Sequence, residues 1–357
     1  MEAVQDSYQL YDDPFRFYTV MLQDIAAAKH QILLETYRFG YDAIGQRFRD
    51  ALLRKAEEGI RIRILVDSWG TGALDQFFAP LREAGAEIRH FKKLKFYFDF
   101  FTKNHRRNHR KLLVIDNRIA WTGSANYTAY SLNWREMMLR SEGRLAPYLA
   151  RTFHESYDIY KKYIFKKYSF KKTLRFQDFE IVRDIPSIYW QQIKKRFEVL
   201  IRQAQQQVVI ETPYFLPGFK LRKEMMEAAQ RGVDVKVIIP QHSDVRLVDI
   251  LRSRYLGILH KAGVKILMYQ GTNLHAKAMM VDENTFAIGS ANFDYRSFRY
   301  MYEMVLVGSH PEIIRQLKEH VLFTLKECTP FSIEKWLRRP RIERFFEWIL
   351  IPMRHLL

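Results

Sequence analysis

The chain has 357 residues, enough for two domains at about 150 residues each. With 48% hydrophobic and 27% charged residues it is not a disordered chain. Lys and Arg outnumber Asp and Glu by 58 to 40, and this surplus of +18 predicts an anionic partner: nucleic acid, acidic lipid or a phosphorylated substrate. The single cysteine, Cys328, excludes an internal disulfide, and no Cys/His zinc pattern is present. A reducing compartment is the default for such a chain. The acidic, polar N-terminus lacks the features of a signal peptide. No run of about 18 uncharged apolar residues is present, so no spanning helix is expected.

In chain order, Gln31 to Phe39 reads as an apolar strand ending in Glu-Thr. A helical pattern follows through Phe48, Ala51, Leu52 and Ala56 and stops at Gly59, a C-terminal cap. Ile60 to Val66 is a second strand, and a further helix and Ala84-Gly85 lead to a third. Gln207 to Phe215 repeats the first strand, Leu221 to Ala229 the helix, Gly232 the cap and Val233 to Ile239 the second strand. The copies are offset by 166 to 178 residues, as in a duplicated domain. Strand–helix–strand alternation predicts an α/β fold with parallel crossovers. The expected division is 1–175 for the first half, 176–330 for the second and 331–357 for a tail. The junction carries seven basic and no acidic residues between Lys161 and Arg175. It reads as a solvated linker or, through its interleaved aromatics, as a lipid-facing segment.

The third repeated element carries the chemistry. His109, Lys111 and Asp116 are followed by Gly123, Ser124 and Asn126; His275, Lys277 and Asp282 are followed by Gly289, Ser290 and Asn292. The pattern H-x-K-x4-D-x6-G-S-x-N thus occurs twice. Glu136 stands 27 residues after His109, and Glu303 stands 28 after His275. In extended chain, residues i and i+2 face the same way, so each His projects with its Lys. Two such sets around one cavity suit a phosphodiester. The lysines and asparagines bind the non-bridging oxygens, one neutral His attacks phosphorus and the other protonates the leaving alkoxide. The lysines supply the positive charge, so no metal or cofactor is called for. A single copy of the motif would be weak evidence, but two in matching places of a duplicated chain are not.

These residues resemble the phospholipase D superfamily, whose signature is the doubled H-x-K-x4-D motif. The resemblance implies one duplicated fold, with two mixed or parallel sheets flanked by helices and one active site between the halves. It also implies a phosphohistidine intermediate, with His109 as nucleophile and His275 as acid and base. Lys111, Lys277, Asn126 and Asn292 would bind phosphate, and Glu136 and Glu303 would orient the imidazoles. Asp116 and Asp282, with Ser124 and Ser290 of the Gly-Ser turns, would be structural. Glu211-Thr212-Pro213-Tyr214-Phe215, Arg231-Gly232-Val233-Asp234-Val235 and Asn292-Phe293-Asp294-Tyr295-Arg296-Ser297-Phe298 further resemble the bacterial cardiolipin synthases. That likeness implies phosphatidyl transfer between two phosphatidylglycerols, giving cardiolipin and glycerol. The chain departs from the family in having Met301-Tyr302 before Glu303, where Asn is common. Its first half also has no counterpart of Asp294-Tyr295-Arg296. A hydrolytic phospholipase D, or a nuclease using the +18 charge, is the alternative.

Two segments suit a membrane surface. Residues 92 to 111 hold eight Lys or Arg, among them Lys95, around Phe96, Tyr97, Phe98, Phe100 and Phe101. Basic and aromatic residues together fit an anionic headgroup layer. The other readings are a packed core with solvated charges, or a nucleic-acid groove. After Pro340, Ile342, Phe345, Phe346, Ile349, Leu350 and Met353 form one stripe, with Arg341, Arg344, Glu347 and Arg354 off it. This is an interfacial helix or one packed on the protein's own core. Together these features favour anionic phospholipid (phosphatidylglycerol, cardiolipin) at a membrane surface over nucleic acid. The expected location is the cytoplasmic side of the cell membrane, peripherally bound.

Overall fold

The computed structural model describes residues 5–71, 75–91, 106–160, 173–187 and 189–352. The chain divides into two compact units, Met1–Gln177 and Asp178–Leu357, the tail belonging to the second.

In the first unit seven strands run in the order Ser7–Tyr11, Met138–Glu142, Ile119–Gly123, Leu112–Ile115, Gln31–Thr36, Arg61–Asp67, Glu87–Phe91. The last three are parallel neighbours, as crossovers through helices require. The other four pair antiparallel, Leu112–Ile115 lying beside Gln31–Thr36 with Ile115 opposite Ile32. The sheet is therefore mixed.

The second unit repeats this order as Phe179–Asp184, Met301–Gly308, Thr285–Gly289, Ala278–Val281, Gln207–Glu211, Asp234–Pro240, Lys265–Tyr269, and adds Cys328–Pro330 at the edge. Val281 lies opposite Val208, the counterpart of Ile115 opposite Ile32. Both central strands are buried along their length, so they read as continuous apolar runs.

Helices cover the sheets. Ala43–Glu57 in the first unit and Phe219–Gln230 in the second end at Gly59 and Gly232, with φ of 83° and 91°. The left-handed residue lets Ile60 N and Val233 N bond back to the carbonyls of Lys55 and Ala228, at 3.0 and 3.1 Å. The halves differ next. The second has a 16-residue helix, Arg246–Lys261, where the described residues of the first have the short 3-10 turn Asp75–Phe78 and the five-residue helix Ala79–Glu83. Each unit has its own apolar core, around Ile32, Leu34, Ile64 and Phe48 in one and Val208, Ile210, Val237 and Met225 in the other. Among the described residues no helix is long and apolar enough to cross a membrane.

Candidate functional site

Strand register gathers the motif residues at one end of each sheet. Leu112 pairs with Thr122 and Glu35, and Gly123 pairs with Met138. Lys111, Gly123 and Glu136 therefore converge. In the second unit Ala278 pairs with Ile288 and Glu211, and Gly289 with Val305. Gly289 N there donates to Lys277 O at 3.3 Å. The bridges Phe39–Tyr127 and Phe215–Phe293 bring the loop after each central strand to the residue following Asn126 or Asn292. All eight expected catalytic side chains are buried.

The His-x-Lys triplets lie just before the motif strands rather than within them, since the strands begin at Leu112 and Ala278. Their backbone groups serve other bonds. Lys111 Nζ donates to His109 O at 2.7 Å, and Lys277 Nζ donates to His275 O at 2.6 Å. Each ammonium is thus buried and anchored beside its own histidine. Tyr37 packs edge-on against His109, with ring centroids 5.2 Å apart, and Lys111 Nζ sits 5.7 Å from the Tyr37 ring. At the matching position, two residues after Glu211, the second half has Pro213.

The Gly-Ser turns are tightly built. A Cβ on Gly123 or Gly289 would fall 2.2 Å from Met137 O or Met304 O. Only glycine permits that approach. Ser124 Oγ donates to Glu136 at 2.5 Å and accepts from Met137 N at 2.9 Å. Ser290 Oγ donates to Glu303 and accepts from Met304 N at 3.0 Å. Each serine thereby fixes a fully buried carboxylate. The side-chain oxygens of Asn126 and Asn292 are buried without a hydrogen-bond partner among the described residues. Such amides are a cost that a polar binding site carries.

Asp116 and Asp282 point away from this chemistry. Both adopt the left-handed conformation, with φ of 53° and 50°. Asp116 accepts the amides of Lys29, His30 and Gln31, each at 2.8 Å. Asp282 accepts those of Gln205, Gln206 and Gln207 at 2.9, 2.7 and 2.9 Å. Burial raises both carboxyls, but the three amide donors outweigh it and leave each below its ordinary pKa.

Sequence reasoning missed a buried polar layer beneath the motif. Glu35 Oε1 accepts from Asn108 Nδ2 at 2.7 Å, and Arg110 Nη1 donates to Ser156 Oγ at 2.7 Å. Asn108 N reaches Asp67 Oδ2 at 2.8 Å. Burial raises the Glu35 carboxyl, partly offset by the charge of Arg110. In the second unit Glu211 keeps the carboxylate but takes a different partner, His320 Nε2 at 3.1 Å. Leu274 and Ala276 stand there in place of Asn108 and Arg110. Ser156 and His320 are each nine residues beyond Pro147 or Pro311, the prolines in the first turns of helices Ala146–Ile159 and Pro311–Lys326. The signal was the Glu-Thr that closes each apolar strand.

The expected membrane residues Lys95, Phe96, Tyr97, Phe98, Phe100 and Phe101 lie outside the described residues. The tail forms the helix Arg341–Leu350, and its one buried residue is Glu347. Arg339 Nε and Nη2 hold Glu347 at 2.8 and 3.1 Å, and Arg339 lies over Trp336. The helix is therefore seated by its polar side. Ile342, Phe345, Phe346 and Ile349 are exposed, as is Trp348, which lies off the expected stripe. Leu350 instead turns inward against Val248, Leu251 and Tyr255.

A family model described as cardiolipin synthase, PLD-like domain, matches residues 21–157 and 198–322. Similar curated proteins include a cardiolipin synthase of Clostridium perfringens, 31% identical over 97% of this chain and 76% of that protein. The major cardiolipin synthase ClsA of Bacillus subtilis is 32% identical over 93% of this chain and 72% of its own length. Among solved structures, phosphatidylserine synthase of Haemophilus influenzae has a TM-score of 0.74 at 14% identity, covering 98% of this chain and 95% of that one. Polyphosphate kinase of Porphyromonas gingivalis has a TM-score of 0.64 at 11% identity, covering 99% and 54%. These two likenesses speak to the fold. With its duplicated mixed sheet, its two His-Lys-Asp motifs and relatives matched along nearly its whole length, the chain belongs to the cardiolipin synthase family of phospholipase D-like proteins.

Proposed function

We propose that the chain is a phosphatidyltransferase that makes cardiolipin and glycerol from two molecules of phosphatidylglycerol. The observation that carries this reading is the paired buried set of His, Lys, Asn and Ser-held Glu, placed alike in two copies of one sheet. His109 attacks phosphorus with a neutral ring nitrogen, and the bond to the leaving glycerol breaks as His275 gives that oxygen a proton. The phosphatidyl group is then held on His109. His275, now neutral, takes the proton from the terminal hydroxyl of the second phosphatidylglycerol, whose oxygen displaces His109 from phosphorus. Lys111 and Lys277, with Asn126 and Asn292, neutralise and orient the non-bridging oxygens. Glu136 and Glu303 orient the imidazoles. The enzyme works at the cytoplasmic face of the membrane as a peripheral protein, and the outward apolar side of helix Arg341–Leu350 supports the membrane contact, not its side.

The test is to incubate the purified full chain with phosphatidylglycerol vesicles, without added metal, and to resolve the lipids. Cardiolipin with released glycerol is expected. Phosphatidic acid alone would make the enzyme a hydrolase. No lipid turnover, with cleavage of single-stranded DNA, would overturn the lipid reading.

A further inference from the structure

The second unit exposes three large aromatic side chains close to one group of cations. Tyr189, Trp190 and Phe219 are 79%, 58% and 68% exposed. Lys195 Nζ lies 5.5 Å from the Trp190 ring. Lys195 lies on helix Gln192–Gln203, and on the same helix Lys194 reaches the start of helix Phe219–Gln230, where a Cβ on Gly218 would stand 3.7 Å from both Lys194 Nζ and the Tyr295 ring. Arg299 lies over that ring at 5.2 Å. Burial lowers the pKa of Lys194, and the charges of Arg299 and Lys220 lower it further, so these cations share one neighbourhood. Glu198, 3.7 Å from Lys194, is the acid that offsets them in part.

Single exposed rings are ordinary, but several grouped together and rimmed by polar or charged residues mark a protein or membrane contact. Aromatics rimmed by Lys and Arg suit the headgroup level of an anionic bilayer, whose negative surface attracts each cation near it. Tyr295 follows the motif residue Asn292 by three positions, and Asp294 between them caps the helix Tyr295–Tyr300. The patch therefore borders the second motif.

We propose that Tyr189, Trp190 and Phe219, with Lys194, Lys195, Lys220 and Arg299, form a bilayer-contacting surface for anionic phospholipid. It neighbours the C-terminal helix, since Tyr295 and Leu350 pack against the same small apolar cluster, and it holds the second motif at the headgroup layer. This deepens the lipid reading above and rests on it.

The experiment is co-sedimentation of the full chain with vesicles of phosphatidylcholine containing 30% phosphatidylglycerol, or of phosphatidylcholine alone. The variants are Tyr189→Ser/Trp190→Ser/Phe219→Ser and, separately, Lys195→Gln/Lys220→Gln. All five side chains are at the surface, and thermal unfolding checks that each variant is folded. The aromatic variant is expected to bind anionic vesicles at least tenfold more weakly. The charge variant is expected to lose several-fold on anionic vesicles and nothing on neutral ones. Unchanged binding by the folded aromatic variant would overturn the proposal, as would equal losses of the charge variant on both vesicle types. Cardiolipin formation by the parent chain in detergent micelles reports on the transferase reading separately. A failure of one is therefore not mistaken for a failure of the other.

Discussion

Replacing Asp282 tests whether the motif aspartate is a structural clamp or a chemical group. Its carboxylate holds three consecutive amides, Gln205 to Gln207, at the entry to the central strand. Hydrogen bonds to a charged group contribute about 1.5–3 kcal/mol each when buried, but Gln205 and Gln206 are exposed and their amides regain water. About 1 kcal/mol per bond is the better figure here. Alanine in the left-handed conformation at φ 50° adds roughly 1 kcal/mol. Asp282→Ala should therefore lose about 3–4 kcal/mol in urea unfolding. Asp282→Asn tolerates that conformation and keeps one acceptor oxygen, so it should lose about 1–2 kcal/mol. The carboxyl is held below its ordinary pKa of 3.8, because the amide donors outweigh burial. Its contribution is thus present above pH 4 and is lost as the pH falls through the depressed value. The gap between parent and Asp282→Ala should narrow below about pH 4. An alanine variant within about 0.5 kcal/mol of the parent, yet inactive in cardiolipin formation, would refute the clamp and place the carboxylate in the chemistry.

His109→Ala should lower cardiolipin formation by about 10⁴-fold or more, the scale of losing a covalent nucleophile. Turnover surviving in that variant, or a phosphatidyl adduct on His275 by mass spectrometry, would reverse the assignment. Ser290→Ala leaves the buried Glu303 carboxylate and Met304 N each short of a partner, and should cost about 2–3 kcal/mol in urea unfolding. Burial pushes the Asp294 carboxyl up to about 6, with Glu303 adding to the shift. A raised carboxyl favours the protonated fold, so the parent should lose stability between about pH 4 and pH 6 as that proton leaves. Asp294→Asn should remove that loss, and a parallel pH profile for the two proteins would count against it. Phe345→Ser/Ile349→Ser on the outward face of the tail should weaken binding to anionic vesicles by about a hundredfold or more, given about 1.5–3 kcal/mol per buried apolar side chain.

The duplication and the eight motif residues were legible because each is a local pattern: a strand period, a glycine stop, a fixed spacing. The layer beneath them was not. Glu35 and Asn108 are 73 residues apart, and Glu211 and His320 are 109 apart. No periodicity links a buried carboxylate to a partner on another element. The same limit explains the tail. Its pattern gave an apolar stripe, but which side is seated was decided by Arg339 and Glu347, a polar pair outside the stripe. Leu350, expected at the membrane with Phe345, Phe346 and Ile349, is turned inward by this seating. The triplets fell just outside their strands for a related reason. In each triplet the lysine bonds its own histidine's carbonyl, a contact that only the folded geometry shows.

The two half-sites differ most in what stands behind the histidine. In the first, Asn108 and Arg110 on either side of His109 are polar and tied to Glu35, Asp67 and Ser156, while Tyr37 packs on the imidazole itself. In the second, His275 is flanked by Leu274 and Ala276, and the matching carboxylate is turned to His320. A nucleophile must hold one line of approach to phosphorus through bond making and bond breaking, and positioning of that kind is worth several kcal/mol of barrier. A group that only passes a proton needs hydrogen-bond reach and the right charge, which an apolar flank does not disturb. Equal motifs on unequal supports are therefore in keeping with the proposal that the braced histidine, His109, is the nucleophile. The duplication supplied two interchangeable imidazoles, and the residues around them made the two unequal.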